Sequence, residues 1–138
     1  MDRTDEFNWN DFNNLADSYI NQNNKAKQRT GISRYYYGTF CTMRDFLNEN
    51  KIYLNKKSEN TMNSKKSDVH GETSKIFRNH SKFQKDNIGK IISKELDKLR
   101  KMRNEADYDK ITSNSLDRMI INSKIKSEKI LKLLSDIT

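Results

Sequence analysis

Hydrophobic residues recur at intervals of three and four along four long stretches of this chain, which is the spacing of one face of an α-helix. The first two stretches lie at about 10–23 and 31–50. The other two lie at about 87–108 and 114–135, and a shorter one lies at about 72–83. Because no segment shows the sustained alternation of a strand, the pattern predicts an all-α fold.

The second stretch has the clearest repeat. Its apolar positions, spaced by four and three, are Ile32, Tyr36, Phe40, Met43 and Leu47. This spacing is typical of the seam of a helix bundle, and Gly38 inside it would let another helix approach closely. A length of 138 residues suits one domain. We therefore expect residues 1–138 to form a single antiparallel four-helix bundle with a short extra helix.

The segments between these stretches are polar. The Asn-, Lys- and Gln-rich run at 21–29 is predicted to be a turn or a frayed join. Lys51 to Lys66 is lysine-rich with little to bury, so we expect a polar, flexible loop at about 51–70. His70 and Gly71 are expected to form a turn before the short helix, and Asn114 is expected to cap the last helix.

Composition narrows the classes of function. The formal net charge is +8, which favours nucleic acid, nucleotides or an acidic protein as partner. No apolar run approaches about 18 residues and no signal peptide is evident, so we expect a cytoplasmic protein with no membrane partner. A single cysteine, Cys41, and two histidines, His70 and His80, predict no disulfide, no metal and no cofactor.

The third long stretch ends with an arginine on its apolar face. The preceding apolar positions are Ile88, Ile92, Leu96 and Leu99. Arg103 comes next, so its guanidinium needs either a buried partner or a function. Arg100, Arg103 and Asn104 could form a phosphate site, because guanidinium groups match phosphate oxygens. Alternatively, Arg103 and Asp107, which lie one turn apart, form an ordinary surface ion pair.

A second group consists of Arg34 and the three tyrosines that follow it, Tyr35, Tyr36 and Tyr37. Aromatic rings beside a cation can stack nucleic-acid bases. The same residues would also serve as an aromatic core stripe whose hydroxyls reach the surface. The sequence leaves both interpretations open.

Three motifs, in order, resemble those of the HEPN superfamily of small prokaryotic helical bundles. The second helix resembles its Ser/Asn-Arg-x-Tyr-Tyr-Ala-x-Phe signature through Ser33, Arg34, Tyr36, Tyr37, Gly38 and Phe40. The family's loop and short helix are matched by His70, Gly71, Phe77 and Phe83. Its Arg-x-x-Ala-Asp-Tyr ending is matched by Arg103, Ala106, Asp107 and Tyr108, with Asn104 after the arginine.

The resemblance implies a homodimer from a defence, toxin–antitoxin or RNA-processing system, whose arginine motifs face each other. Active members are metal-independent endoribonucleases. The implied catalytic positions are Arg103, Asn104 and Tyr108. The candidate nucleic-acid-binding residues are Arg34, Arg100 and Lys101. The candidate polar supports are Asp107, Tyr36 and Tyr37.

Tyr108 stands where active members carry histidine. Metal-free RNA cleavage needs a proton acceptor, a proton donor and positive charge near the phosphate, and histidine titrates near neutral pH whereas tyrosine does not. Two interpretations therefore stay open. The chain is an RNA- or nucleotide-binding protein and endoribonuclease, or it is a non-catalytic interaction protein. The second class includes an antitoxin-type, regulatory or mobile-element factor that binds a protein partner.

Overall fold

A computed structural model describes residues 7–65 and 68–137, with only the backbone of Ser113. Within these residues the fold is all-helical, as predicted, with no strand. The helices are α1 (Asn10–Ile20), α2 (Lys25–Glu49), α3 (Lys56–Met62), α4 (Val69–Asn79), α5 (Ile88–Tyr108) and α6 (Ser113–Ile137). Two 3-10 turns, Ser81–Phe83 and Lys85–Asn87, join α4 to α5. None of the helices in the described ranges is long and apolar enough to span a membrane.

Helix α2 is the centre of the packing, since α1, α4, α5 and α6 all contact it. Helix α5 also packs against α4 and α6. Four residues of the predicted seam of α2, from Tyr36 to Leu47, are buried in the main hydrophobic core with apolar residues of α5 and α6, and Ile32 is buried in a second, smaller cluster. The Cys41 thiol is free and buried in the same core, and burial raises its pKa. The periodicity of α2 therefore identified the helix around which the others assemble.

Gly38 marks a close approach of α1 to α2. A Cβ atom at this position would lie 2.1 Å from Asn13 Oδ1 and 3.1 Å from Phe12 Cβ. The Asn13 amide extends the junction to α6, because its Nδ2 donates a hydrogen bond to Ser127 Oγ over 2.7 Å. The close approach that was expected at this glycine is confirmed.

The predicted turn at 21–29 is wrong for its second half. Helix α2 begins at Lys25, six residues before the expected start, and Asn24 caps it by accepting a hydrogen bond from Lys27 N over 3.1 Å. Side-chain caps of this kind start a helix without any apolar residue. The hydrophobic pattern therefore missed the first two helical turns of α2, which are polar, and Arg29 lies in the second of them.

The prediction of a loop over the whole of 51–66 is also wrong, because α3 occupies its centre. The Asn55 side chain caps α3 by accepting from Ser58 N over 2.8 Å. Ile52, before the helix, and Met62, its last residue, are both buried. These two apolar residues lie ten positions apart and form no helical repeat. The hydrophobic pattern therefore does not indicate this helix. Residues 66 and 67 of the expected loop lie outside the described residues.

Two expected helix starts are displaced. His70 and Gly71 lie in the first turn of α4 and not in a preceding turn. The Asp68 side chain caps this helix by accepting from Gly71 N over 2.8 Å. At α6 the cap is Thr112, whose Oγ1 accepts from Ser115 N over 3.2 Å, and not Asn114. The shift at α4 matters for function, since it fixes the direction in which His70 projects.

Candidate functional site

The C-terminal end of α5, which carries the arginine motif, is held in place by Arg29 of α2. Arg29 Nε donates to the carbonyl oxygen of Ala106 over 2.6 Å, and its guanidinium also donates to the carbonyl of Asp109. These carbonyls have no partner within α5, and a cation complements the negative end of the helix dipole. The hydrophobic pattern did not identify Arg29 as part of the site. The Asn24 cap was the signal that would have placed it on a helix.

Arg103 lies between α5 and the tyrosines of α2. Its side chain is only 12% exposed. The guanidinium carbon is 5.4 Å from the ring centre of Tyr36 and 5.2 Å from that of Tyr37. Aromatic faces attract a cation at such distances. The inward direction that the apolar stripe predicted is therefore observed, and Tyr36 and Tyr37 support the arginine itself.

The polar partners of Arg103 are incomplete. Its Nη1 lies 3.7 Å from Asp107 Oδ2, which confirms the expected one-turn pair but is too long for a hydrogen bond. Its Nε is buried and has no hydrogen-bond partner. An orphaned buried donor costs about 1–3 kcal/mol, and more when it is charged. Arg103 thus keeps an unsatisfied donor, which an anionic ligand would engage after a shift of the side chain, because Nε itself is buried.

His70 of α4 lies against the same tyrosines. Its ring stacks on Phe40 at 3.9 Å between centres and 12°, and on Tyr36 at 5.6 Å and 11°. The Tyr36 hydroxyl and His70 Nδ1 share a hydrogen bond. The sequence left the role of His70 open. The structure places its imidazole on the Tyr36 ring, which Arg103 also contacts.

Burial and the two arginines set the protonation of this pair. Burial, followed by the charges of Arg100 and Arg103, lowers the pKa of His70 to about 4. Burial raises the pKa of Tyr36, against the opposing effect of the same arginines. At neutral pH the imidazole is therefore neutral and the phenol keeps its proton. We assign the phenol as donor to Nδ1, which leaves the imidazole hydrogen on Nε2.

Arg100 completes the group at the start of α4. Its Nη2 lies 3.9 Å from Asp68 Oδ1, and its side chain is 39% exposed. We call Tyr36, Tyr37, His70, Arg100 and Arg103 the arginine–histidine cluster. The cluster contains two guanidinium groups and one neutral imidazole, and its acidic neighbours, Asp68 and Asp107, are at the surface. Such a balance favours an anion.

An open cavity of about 490 Å³ adjoins the cluster. His70 and Phe40 form one part of its wall, and Arg44, Asn63 and Lys65 contribute cationic and amide groups. The charge of Arg44 is partly balanced within the protein, because its guanidinium pairs with Asp45 over 2.9 Å. The cavity gives an anionic ligand access to the His70 side of the cluster.

The remaining candidates lie outside this group. Asn104, Lys101 and Tyr108 are exposed, and the Tyr108 side chain is 78% exposed with no aromatic contact in the described chain. Arg34 lies over the ring of Phe12 of α1, at 5.0 Å. Nucleic-acid contacts by Arg34 and Lys101, and catalytic roles for Asn104 and Tyr108, stay predictions.

Comparison with known proteins finds a relative in the archaeon Methanocaldococcus jannaschii, the uncharacterized protein MJ0992. It is 30% identical over 139 residues, an alignment that covers 96% of this chain and 77% of the relative. No protein-family model matches the chain. No solved structure matches it. On the extent of this similarity, the chain belongs to the same family as the uncharacterized archaeal protein.

Proposed function

We propose that this chain is a HEPN-like RNA-binding protein and that the arginine–histidine cluster holds an RNA phosphate. The observation that carries the proposal is the buried guanidinium of Arg103, whose Nε has no partner and whose carboxylate neighbour is 3.7 Å away. A phosphate oxygen between Arg103 and Arg100 would supply the missing acceptor. The net charge of +8 favours approach of a polyanion.

The proposal extends to metal-independent cleavage of the bound RNA, with His70 in the role that position 108 does not fill. In this reaction the 2′-hydroxyl attacks the adjacent phosphorus, and the 5′-oxygen of the next nucleotide leaves. The arginines stabilise the negative charge that develops on the phosphate. In the tautomer in which Nδ1 donates to Tyr36, His70 Nε2 can accept the 2′-hydroxyl proton. The imidazolium formed in this way can then give that proton to the leaving 5′-oxygen.

A homodimer is part of the same proposal. Asn104 and Tyr108 lie one turn apart on the exposed side of the α5 end, so a second copy could cover them and bring two clusters together. The setting in defence or toxin–antitoxin systems, with a protein antitoxin as partner, rests on the sequence resemblance alone.

The test measures binding and cleavage of a short fluorescent single-stranded RNA in EDTA. Arg103→Met keeps the apolar stem and removes the charge. The matched control is Arg118→Met, at an exposed position of α6. We expect Arg103→Met to weaken binding about 10–100-fold, the loss of one or two charge-assisted hydrogen bonds. His70→Gln should bind RNA but lose cleavage. Equal binding by wild type and Arg103→Met would overturn the proposal.

The second candidate is a non-catalytic protein in which the cluster is structural. This candidate is favoured by the contacts that the cluster makes between helices. The cation–aromatic contacts of Arg103 with Tyr36 and Tyr37 connect α5 to α2. The hydrogen bond between Tyr36 and His70 connects α2 to α4. On this alternative, Arg103→Met would lower the free energy of unfolding by several kcal/mol and leave RNA affinity unchanged.

A further inference from the structure

Helices α4 and α5 lie side by side and antiparallel, with a groove along their outer edge. Their register is fixed by Ser74 Oγ, which contacts Ser93 Oγ at 2.7 Å and donates to Asp97 Oδ1 over 2.8 Å. At the other end, Asp68 reaches Arg100. The groove has a volume of about 360 Å³. One end of it therefore lies next to the arginine–histidine cluster.

Five of the seven residues that line this groove are cationic. Four lysines of α5 follow one another at intervals of four, four and three, so they form a single row on the helix surface. They are Lys90, Lys94, Lys98 and Lys101, and all are exposed. Arg78 of α4 lines the groove with them, and its Nη1 donates to Ser93 Oγ over 3.4 Å. We call these five residues the lysine track.

The four lysines of the lysine track form no ion pair within the described part of the chain. None of the four lysines has a carboxylate oxygen within 4 Å among the residues described. The one carboxylate that these residues place in the groove wall, Asp97, accepts a hydrogen bond from Ser74. Asp97 and Glu105 lie four residues from Lys101, a spacing usual on solvated helix faces, but neither forms an ion pair with it. A row of unpaired lysines along a concave surface is the form of a site that follows a polyanion.

We propose that the lysine track binds the sugar–phosphate backbone of single-stranded RNA and leads it to the arginine–histidine cluster. The inference rests on the proposed function and adds the class of substrate, an extended strand in place of a mononucleotide. Lys90 to Lys101 spans about 16 Å at 1.5 Å per residue, which is long enough for an extended strand to place more than one phosphate along the track. No aromatic side chain of residues 7–65 or 68–137 lines the groove, so the contact reads phosphates and not bases.

An acidic protein fits this groove less well. As far as the structure describes the chain, the groove wall is made of lysine, arginine, serine and aspartate, with no apolar side chain. The centre of a protein–protein interface is enriched in aromatic and other apolar residues and depleted of lysine. A nucleic-acid backbone needs no apolar centre, because counterion release supplies most of its binding free energy. The composition of the wall thus favours RNA over a protein partner.

The experiment compares a three-nucleotide and a twelve-nucleotide single-stranded RNA of mixed sequence at 50 and 200 mM salt. The variant replaces Lys90, Lys94, Lys98 and Lys101 by Gln. Its matched control replaces four exposed lysines elsewhere, Lys25, Lys51, Lys57 and Lys132, so both have the same net charge. Arg103→Met is measured in parallel, and thermal melts verify that each variant is folded.

We expect wild type and the control to bind the longer RNA at least 10-fold more tightly than the shorter, and the track variant to lose this preference while keeping its affinity for the shorter RNA. Because the variant has four fewer lysines to pair with phosphates, its affinity for the longer RNA should depend less on salt. Between the two salt concentrations the affinity of wild type should fall roughly 50-fold more than that of the variant. A mixed-sequence and a single-base twelve-mer should bind alike.

The outcomes separate the two proposals. If Arg103→Met loses the short RNA but the track variant keeps the full length preference, the lysine track is wrong and the proposed function stands. If the track variant loses the length preference but Arg103→Met is unaffected, the track stands and the cluster does not bind phosphate. If the track variant loses binding of an acidic polypeptide such as polyglutamate and binds both RNAs like wild type, the groove serves a protein partner and the RNA inference is overturned.

Discussion

Helix α5 has two nearly buried charged residues, eight positions apart, and they differ in how completely their polar groups are paired. Glu95 is 8% exposed, accepts a hydrogen bond from Lys126 Nζ over 3.0 Å and has Lys129 Nζ at 3.9 Å. Arg103 has one carboxylate at 3.7 Å and a buried Nε with no partner. Both charges lie at helix interfaces, Glu95 facing α6 and Arg103 facing α2.

The difference separates a charge whose partners lie within the fold from one that keeps an unsatisfied donor. Burial alone would raise the pKa of Glu95, but Lys126, Lys129 and Lys98 outweigh it and keep that pKa low, so the carboxylate is ionised and paired. Arg103 has its charge held against two aromatic faces, which cannot satisfy its hydrogen-bond donors. A buried ion with spare donors is unfavourable for stability alone, which supports a ligand at that position.

The largest effect on stability is expected from Glu95→Gln. Removing one charge leaves Lys126 without its partner next to a buried amide, so the free energy of unfolding should fall by about 2 kcal/mol. Denaturation in urea measures it. The RNA affinity of Glu95→Gln should equal that of wild type. If this variant lost RNA affinity but no stability, Glu95 would not be the structural charge that we contrast with Arg103.

An intermediate effect is expected from pH through His70. Its pKa is about 4 when folded and near 6.5 when unfolded, so between these values only the unfolded chain takes up the proton. Stability should be unaffected above pH 6.5 and should fall as the pH drops toward 4. The fall should be about 1–2 kcal/mol, allowing for solvent screening of a half-buried ring.

His70→Gln provides the reference for that pH effect, because glutamine does not titrate. The difference in unfolding free energy between wild type and His70→Gln, followed by urea denaturation from pH 7 to 4, isolates the histidine from the carboxylates. A difference that stays constant with pH would mean that His70 is open to solvent.

The smallest effect on stability is expected from Arg103→Met. The substitution removes the cation–aromatic attraction and the long pair with Asp107, but it also removes the cost of burying a guanidinium with an orphaned donor. These changes should cancel to within about 1 kcal/mol in urea denaturation. A destabilisation comparable to that of Glu95→Gln would class Arg103 with the structural charges.

The long helices were predictable because their cores follow one repeat. The start of α2 and the whole of α3 were not, since they are set by the Asn24 and Asn55 caps and by isolated apolar residues. For the same reason the site was half predictable. Arg103 broke a visible pattern, whereas His70 joins the site only through the packing of α4 on α2, which no local spacing encodes.

The hydrogen bonds of Arg29 to the end of α5 also have a consequence for the stage of protein synthesis at which the site can form. Arg29 and Ala106 are 77 residues apart, and the cluster takes its tyrosines, its histidine and its arginines from three separate helices. A chain still emerging from the ribosome, with α1 to α4 released, already has Tyr36 and His70 but neither guanidinium. The cluster can assemble only after residue 109 has left the exit tunnel. Until then the chain lacks the phosphate site proposed for the folded protein.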